Sequence, residues 1–461
     1  MKKHLAPWAV LAVAAALTLS SCATGTGSKG DADVTYDPNA TLSGDLQVMG
    51  FGATDEIATT RLDRTEQALG DGVKVSLIEG DLDIQQFLSA VASGKPPELL
   101  YVDRNKLGSL AARGAIIPLD KCIEGEGIDT SQFVESALDQ VTLDGTVYGI
   151  PEFNTVQLTM ADKSLLDAAG LTIDDVNGSN WDAMAAANTA LMKTDGGKLS
   201  VIGVDSKLPE FLPLWAKANG ADLISADGKT AQLNSPEVVQ ALEYAVGIYD
   251  AQGGFSAVKA FRDSADFFGA GNQYATNQLG AMPMEQWYLN VLNDVSPEAT
   301  VEFDTFRDTS GEPLAFSTGQ AWAIPSGTKN PAAACRFAKT MTDVDSWVAA
   351  AQARVDARAA DGKAFTGLLT ANSAADAKVK ELVTSSGDAK WDDGVAAMYE
   401  ANDHTFSLPA NPADQEFTTA WQDAVNRVLN GQADPQASLD QAQDEAQKAL
   451  DKAWADLQGE G

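Results

Sequence analysis

The residue types that most often carry catalysis are scarce in this chain. There are two histidines, His4 in the opening segment and His404 within Asn402-Asp403-His404-Thr405. One imidazole beyond residue 4 cannot build a multi-histidine zinc site. A Ser-His-Asp triad would depend on His404, which lies among loop-like residues, and no nucleophile-elbow motif occurs. No glycine-rich phosphate loop and no cluster of metal ligands is present, so neither a metal nor a cofactor is expected. Carboxylates are the opposite case. With 65 Asp and Glu, a facing pair suited to glycoside hydrolysis can be imagined in many places, so their abundance discriminates nothing. These residues single out no catalytic site.

The cysteines bear on location. Lys2 and Lys3 precede an almost wholly apolar stretch over residues 5–19, which runs into Leu19-Ser20-Ser21-Cys22. A basic head, an apolar run too short to span a bilayer comfortably and small residues before a cysteine describe an export signal over 1–21. The cysteine after the small residues resembles a bacterial lipobox, in which Cys22 is the lipid-bearing first residue of the mature chain and residues 22–40, rich in Gly, Ser, Thr, Asp and Ala, are a flexible tether; an ordinary secretory signal with Cys22 near the cut by chance is the other reading. The expected location is the outer face of the bacterial cytoplasmic membrane. An even pair, Cys122 and Cys335, remains in an oxidising compartment and allows a disulfide; two separate buried thiols are the other reading. A net charge of −33 argues against nucleic acid and against anionic lipid held by a basic patch. No second long apolar run follows the signal, so the membrane is touched through the anchor only.

A chain of 461 residues exceeds what one core usually supports, and two lobes are expected. Strand-like runs at 44–51, 73–78 and 98–102 alternate with helical patterns at 56–69 and 83–93, which argues for βαβ units on a parallel sheet. Ligands on such sheets bind at the carboxyl ends of the strands. The loops Gly52-Ala53-Thr54-Asp55 and Asp103-Arg104-Asn105 therefore lie at the mouth of a site. A second α/β unit covers about 155–301, with helices at 181–192 and 236–249 and a strand at 199–204. Asn234-Ser235-Pro236-Glu237 is a polar cap followed by proline at the first helical position. A last helix over 434–457 carries the apolar stripe Leu439, Ala442, Ala446, Ala449, Leu450 and Ala453.

Several separate segments resemble one family, the extracellular solute-binding proteins of ABC importers, in the carbohydrate-binding group related to maltose-binding proteins. They are Val91-Ala92-Ser93-Gly94-Lys95-Pro96-Pro97-Glu98-Leu99-Leu100-Tyr101-Val102 with Gly114-Ala115-Ile116-Ile117-Pro118-Leu119-Asp120; Gly145-Thr146-Val147-Tyr148-Gly149-Ile150-Pro151 with Asp162-Lys163-Ser164-Leu165-Leu166; Gly280-Ala281-Met282 followed by Trp287; and Ser317-Thr318-Gly319-Gln320-Ala321-Trp322-Ala323-Ile324-Pro325 followed by Asn330-Pro331. The resemblance implies an α/β, two-lobed periplasmic-binding-protein-like fold with a hinge and an interlobe ligand cleft. The first lobe would be 41–150 plus 316–355, and the second 151–315 plus 356–461. Both Cys122 and Cys335 then fall in the first lobe, and the crossings near Gly149-Ile150-Pro151 and Ser317-Thr318-Gly319 would be the hinge.

By the same resemblance Trp287 stacks on a sugar face. Asp103 and Asn105 hold hydroxyls and Arg104 orients them, while Thr54 and Asp55 occupy the corresponding loop after the first strand. Asn154 and Thr155 enter the second lobe where relatives carry a ligand-contacting acid; Thr155 in its place is a departure from the maltose-like pattern. Glu285, Glu210, Phe211 and Gln320 complete the expected contacts. The implied protein is a monomeric, lipid-anchored receptor that delivers a carbohydrate to membrane permease subunits served by a separate ATPase. The alternatives are an exported carboxylate-based glycoside hydrolase, or the same fold used for a polyol or other non-sugar solute.

Overall fold

The computed structural model describes residues 34–459. The expected signal segment 1–21, the lipidated Cys22 and residues 22–33 of the tether lie outside them. Two five-stranded sheets organise the rest. The first runs in the order Val73–Ile78, Gly44–Met49, Leu99–Asp103, Gln320–Ala323 and Ile150–Pro151, with its first three strands parallel and Gln320–Ala323 antiparallel to both of its neighbours. The second runs Val301–Thr305, Gln157–Asp162, Leu279–Glu285, Lys198–Val204 and Lys193–Asp195. All six residues of Gln157–Asp162 are buried, as a central strand covered on both faces requires. No described helix is long and apolar enough to cross a membrane.

Local signals set the helix starts. Asp55 accepts from the Ala58 N–H at 2.8 Å and begins helix Glu56–Leu69. Ser235 caps helix Pro236–Asp250, with proline at its start, the arrangement read from the sequence. In helix Pro435–Gln458 the stripe residues Leu439, Ala442, Ala446 and Leu450 are fully buried, joined by Trp454.

Two expected boundaries need correction. Residues 34–40 are not a free tether: Tyr36 is buried, and the Arg336 guanidinium donates to the carbonyls of Asp37 and Ala40. Arg336 is held in turn by the buried Glu126 carboxylate at 2.9 Å. A tyrosine ring and an arginine that needs carbonyl acceptors outweigh the polar composition of that stretch. The second correction concerns residues 356–380, which the sequence places with the second lobe. Helix Val344–Ala360 packs on helix Glu56–Leu69, and Ser373–Lys380 packs on Val344–Ala360. Trp347, Ala350 and Ala375 share a buried cluster with Ile57. The chain passes to the second sheet only before helix Ala389–Asp403, which lies against Val301–Thr305. Within the first unit, Cys122 and Cys335 are joined by a disulfide with a Cα separation of 5.9 Å, closing a sequence separation of 213 residues.

The segments between the sheets run side by side. Thr155 and Thr318 exchange backbone hydrogen bonds at 2.9 and 3.2 Å, and Ala371 N–H donates to Glu152 O at 2.6 Å. Gly319 has φ +147°, and a Cβ there would lie 2.3 Å from the Phe153 carbonyl, so only glycine fits. Arg104 is fully buried at this junction. Its guanidinium donates to Gln140 Oε1, Asn154 Oδ1, Ser317 Oγ and the carbonyls of Phe153 and Thr318. A polar chain continues from it: Asn154 Nδ2 donates to Asn402 Oδ1 at 2.6 Å, and Asn402 Nδ2 to Asp376 Oδ2 at 3.2 Å. Burial pushes the Asp376 carboxyl from 3.8 up to about 8, against hydrogen bonds from Thr370 and Asn402. Asp414, which accepts from the N–H and hydroxyl of Ser109, is likewise raised by burial to about 7.

Two outcomes are expected. A disulfide that closes so long a loop restricts the unfolded chain, so replacing Cys122 and Cys335 together by alanine should lower the unfolding free energy by about 2–4 kcal/mol. Urea denaturation with and without reductant reads this, and coincident midpoints would refute it. An acid whose folded pKa is raised holds its proton after the unfolded chain has released it, so stability falls as pH rises from about 4 through about 8. Asp376→Asn should therefore narrow the gap between the melting temperatures at about pH 5 and about pH 9; an unchanged gap would show that Asp376 does not titrate in this way.

Candidate ligand-binding cleft

Between the two sheets, in front of the crossing segments, lies a cavity of about 440 Å³. The first sheet supplies one wall. Asp103 ends strand Leu99–Asp103, and Asn105 sits in the short 3-10 turn that follows. The antiparallel register sets Gln320 opposite Asp103, and its Nε2 donates to Asp103 Oδ1 at 3.2 Å. Lys106 holds the other carboxylate oxygen at 2.6 Å. The second sheet supplies the facing wall from the end of Leu279–Glu285, where Glu285 precedes helix Trp287–Val295. Gln286 fastens that turn to the crossing by accepting from Val156 N–H at 2.9 Å.

Trp287 is 36% exposed, and its indole N–H donates to Glu285 Oε2 at 3.0 Å. The ring is thus fixed in orientation while its surface stays open. Burial raises the Glu285 carboxyl; the Trp287 N–H and Lys207 oppose this, and Glu210 adds to it. Asn154 and Thr155 line the cavity from the crossing. A narrower chamber of about 190 Å³ adjoins it and shares Asn105, Gln140, Glu285 and Thr318. Glu210 and Phe211 line this chamber, together with Phe417 and Trp421. Nine of the residues singled out from the sequence therefore meet in one connected space: Asp103, Asn105, Asn154, Thr155, Glu210, Phe211, Glu285, Trp287 and Gln320.

Three do not. Arg104 is fully buried and does not line the cavity; its guanidinium binds the crossing segments. Thr54 is exposed and does not line the cavity. Asp55 is taken up by capping its helix and by Arg354, whose Nη2 is 2.7 Å from its carboxylate. Arg354 does line the cavity, so Asp55 acts one step behind the lining.

Sequence reasoning missed Arg354, Gln140, Asn290, Thr366, Leu369 and Met398. Nothing local marks them: Arg354 stands in an alanine-rich helix, and its position depends on how that helix crosses the first lobe. Trp421 carried a signal in its residue type alone, with no clear pattern around it. Trp215 and Trp322 are fully buried core residues.

A larger groove of about 720 Å³ opens beyond the crossing, lined by Glu135, Asp139, Lys217, Asp222, Asp376 and Lys380 among others. Asn402 faces that groove while its partner Asn154 faces the cleft. Apart from the buried Asp376, the charges of both signs lie along an open surface, whereas the cleft combines open aromatic surface with converging amides, hydroxyls and carboxylates. That combination suits a ligand with apolar faces and hydroxyl edges.

Residues 61–358 match the family model described as bacterial extracellular solute-binding protein. A maltooligosaccharide ABC transporter solute-binding lipoprotein of Streptococcus pneumoniae is 24% identical over 302 residues, which are 62% of this chain and 64% of that protein. The chain thus matches just under two thirds of that relative's length. Among solved structures, CpMnBP1 with mannobiose bound superposes with a TM-score of 0.70 at 21% identity, covering 88% of this chain and all of that one. The sugar-binding protein MalE from Xanthomonas citri gives a TM-score of 0.70 at 15% identity, covering 91% and 100%. Two sheets, paired crossings and an interlobe cleft form the periplasmic-binding-protein-like fold expected from the sequence, and with more than half its length matched by the family model the chain belongs to the bacterial extracellular solute-binding proteins.

Proposed function

We propose that this protein is the lipid-anchored binding subunit of an ABC importer and that its cleft captures a sugar or oligosaccharide. The observation that carries the reading is Trp287: an indole held by Glu285, open to the cavity, across from the amide and carboxylate groups of Asn105, Gln320 and Asp103. An aromatic face stacks on the C–H face of a sugar with little loss of rotamer freedom, and the opposite wall takes the hydroxyls. The relatives named above, which bind maltooligosaccharide or mannobiose by their descriptions, support the same ligand class.

In this reading the lobes, divided at the paired crossings, close over the ligand, and trapping depends on the ligand favouring the closed state. The ligand is released unchanged to membrane permease subunits driven by a separate ATPase, with Cys22 holding the receptor at the outer face of the membrane. Arg354 adds a cation to the lining, but Asp55 and Glu56 already pair with it, so the cleft favours neutral molecules over anions.

Tryptophan fluorescence titration with maltose, maltotriose, mannobiose, an arabinooligosaccharide and sorbitol should give a saturable change with at least one sugar. Calorimetric titration of Trp287→Ala should show affinity for that sugar weakened about tenfold or more, from the loss of stacking and of buried apolar area. Undiminished binding by the variant would remove the tryptophan from the site. Response to sorbitol alone would favour a polyol receptor, and cleavage products would turn the reading to a hydrolase.

A further inference from the structure

Helix Asp414–Leu429 lines the narrower chamber with Asp414, Phe417, Thr418 and Trp421, and its first turn rests on the opposite half of the molecule. It packs with Pro435–Gln458 and Pro236–Asp250 on the side of the second sheet. Yet it begins against Leu107–Ala112, which follows strand Leu99–Asp103 of the first. The approach is close: a Cβ on Gly108 would lie 2.1 Å from the Asn411 carbonyl oxygen. The residue before the helix is Ala413, which has no side-chain oxygen to cap it. The buried Ser109 supplies one from the first half, its Oγ accepting from the Gln415 N–H at 3.3 Å, the role a capping hydroxyl usually plays within its own helix.

Asp414 completes the contact. It is buried and accepts from the Ser109 N–H at 3.2 Å and from the Ser109 hydroxyl. No cation pairs with it among the described residues. Of the charged groups on the elements around it, Arg104 is taken up by the crossings, Lys106 by Asp103 and Arg113 by the exposed Glu416. Glu210 and Glu285 line the same chamber and add negative charge. Helices Pro435–Gln458 and Pro236–Asp250 turn apolar faces inward. Burial raises the Asp414 carboxyl to about 7, against hydrogen bonds from Ser109, Gln415 and Gly108. A carboxylate enclosed here without a cation is disfavoured, whereas the neutral acid keeps a bond to Ser109, whose hydroxyl can accept as well as donate. Parting the two halves would let water reach the group and return it to the ordinary range of about 4.

We propose that Asp414 is a positioning residue of the cleft: through Ser109 it ties a chamber-lining helix of the second lobe to the first lobe, and proton uptake by its carboxyl strengthens both that tie and ligand binding. This rests on the ligand-binding reading of the cleft. The joined state keeps the proton up to about pH 7, whereas the parted, solvated state releases it at about pH 4. Joining is therefore favoured on the acid side and weakens as pH rises between the two. The chamber is bounded by Asn105 and Gln140 on one side and by Phe211 and Phe417 on the other, so it exists only while the halves are joined, and affinity follows in the same direction.

Small-angle scattering of the ligand-free protein should give a larger radius of gyration at about pH 8 than at about pH 5. Asp414→Asn, uncharged throughout, should remove that difference. Calorimetric titration with maltotriose and mannobiose should show wild-type affinity about 3- to 10-fold weaker at about pH 8 than at about pH 5, and a ratio within about twofold in Asp414→Asn. Ser109→Ala should weaken binding at both pH values, and Ser109→Thr should restore it. Glu416→Gln, which removes an exposed charge from the same junction, should keep the wild-type ratio. In either measurement, a pH dependence absent from the wild type or retained in Asp414→Asn would overturn the inference. A wild type that binds neither sugar at either pH would count against the carbohydrate reading alone, and the scattering comparison would still decide the role of Asp414.

Discussion

A guanidinium withdrawn from water needs hydrogen-bond acceptors, and Arg104 finds them on both segments that pass between the sheets. Phe153 and Asn154 belong to one crossing, Ser317 and Thr318 to the other, and Gln140 completes the set. No carboxylate is in direct contact. Burial lowers the Arg104 pKa to about 9, with Tyr101 and Asp103 opposing, so the group remains charged at neutral pH. The two crossings are thus held together by one charge that neither can release without leaving carbonyls unpaired in the interior. Gly319, against which the guanidinium and the Phe153 carbonyl press, is the backbone counterpart of the same constraint.

The site inherits its shape from this junction. With Arg104 turned inward, Asp103 and Asn105 on either side of it line the cavity, and the register of Gln320 against Asp103 adds an amide to the same wall. The facing wall comes from a different sheet, where Glu285 and Trp287 leave the end of a strand. Polar groups therefore sit largely on one side and the open aromatic surface on the other. A molecule that touches both walls must present both kinds of surface.

Much of this was legible in the chain. Strand–helix alternation identified the βαβ units and the loops at their carboxyl ends, because side-chain periodicity is a local property. Ser235-Pro236 as a helix start and the Leu439-to-Leu450 stripe were equally readable. Asp55 shows where local reading stops. An acid after a strand and before a helix serves equally as ligand or as cap, and the Ala58 N–H and Arg354 decide for the cap. Arg104 misled for a related reason: its neighbours point to the cavity, and only the arrival of two distant segments behind it explains its inward turn.

The sequence by itself determined the elements, the family pattern and most of the residue types that line the cleft, since these follow from spacing and side-chain chemistry along a short stretch. Only the tertiary structure decided which of those groups share a wall, that Arg354 and Trp421 join them, and that Asp414 meets Ser109. The return of residues 370–380 to the first lobe and the packing of residues 34–40 were decided there too. The physical reason is common to all of them: each depends on contacts between segments far apart in the chain, where the geometry of packing, and not local periodicity, sets which way a side chain turns.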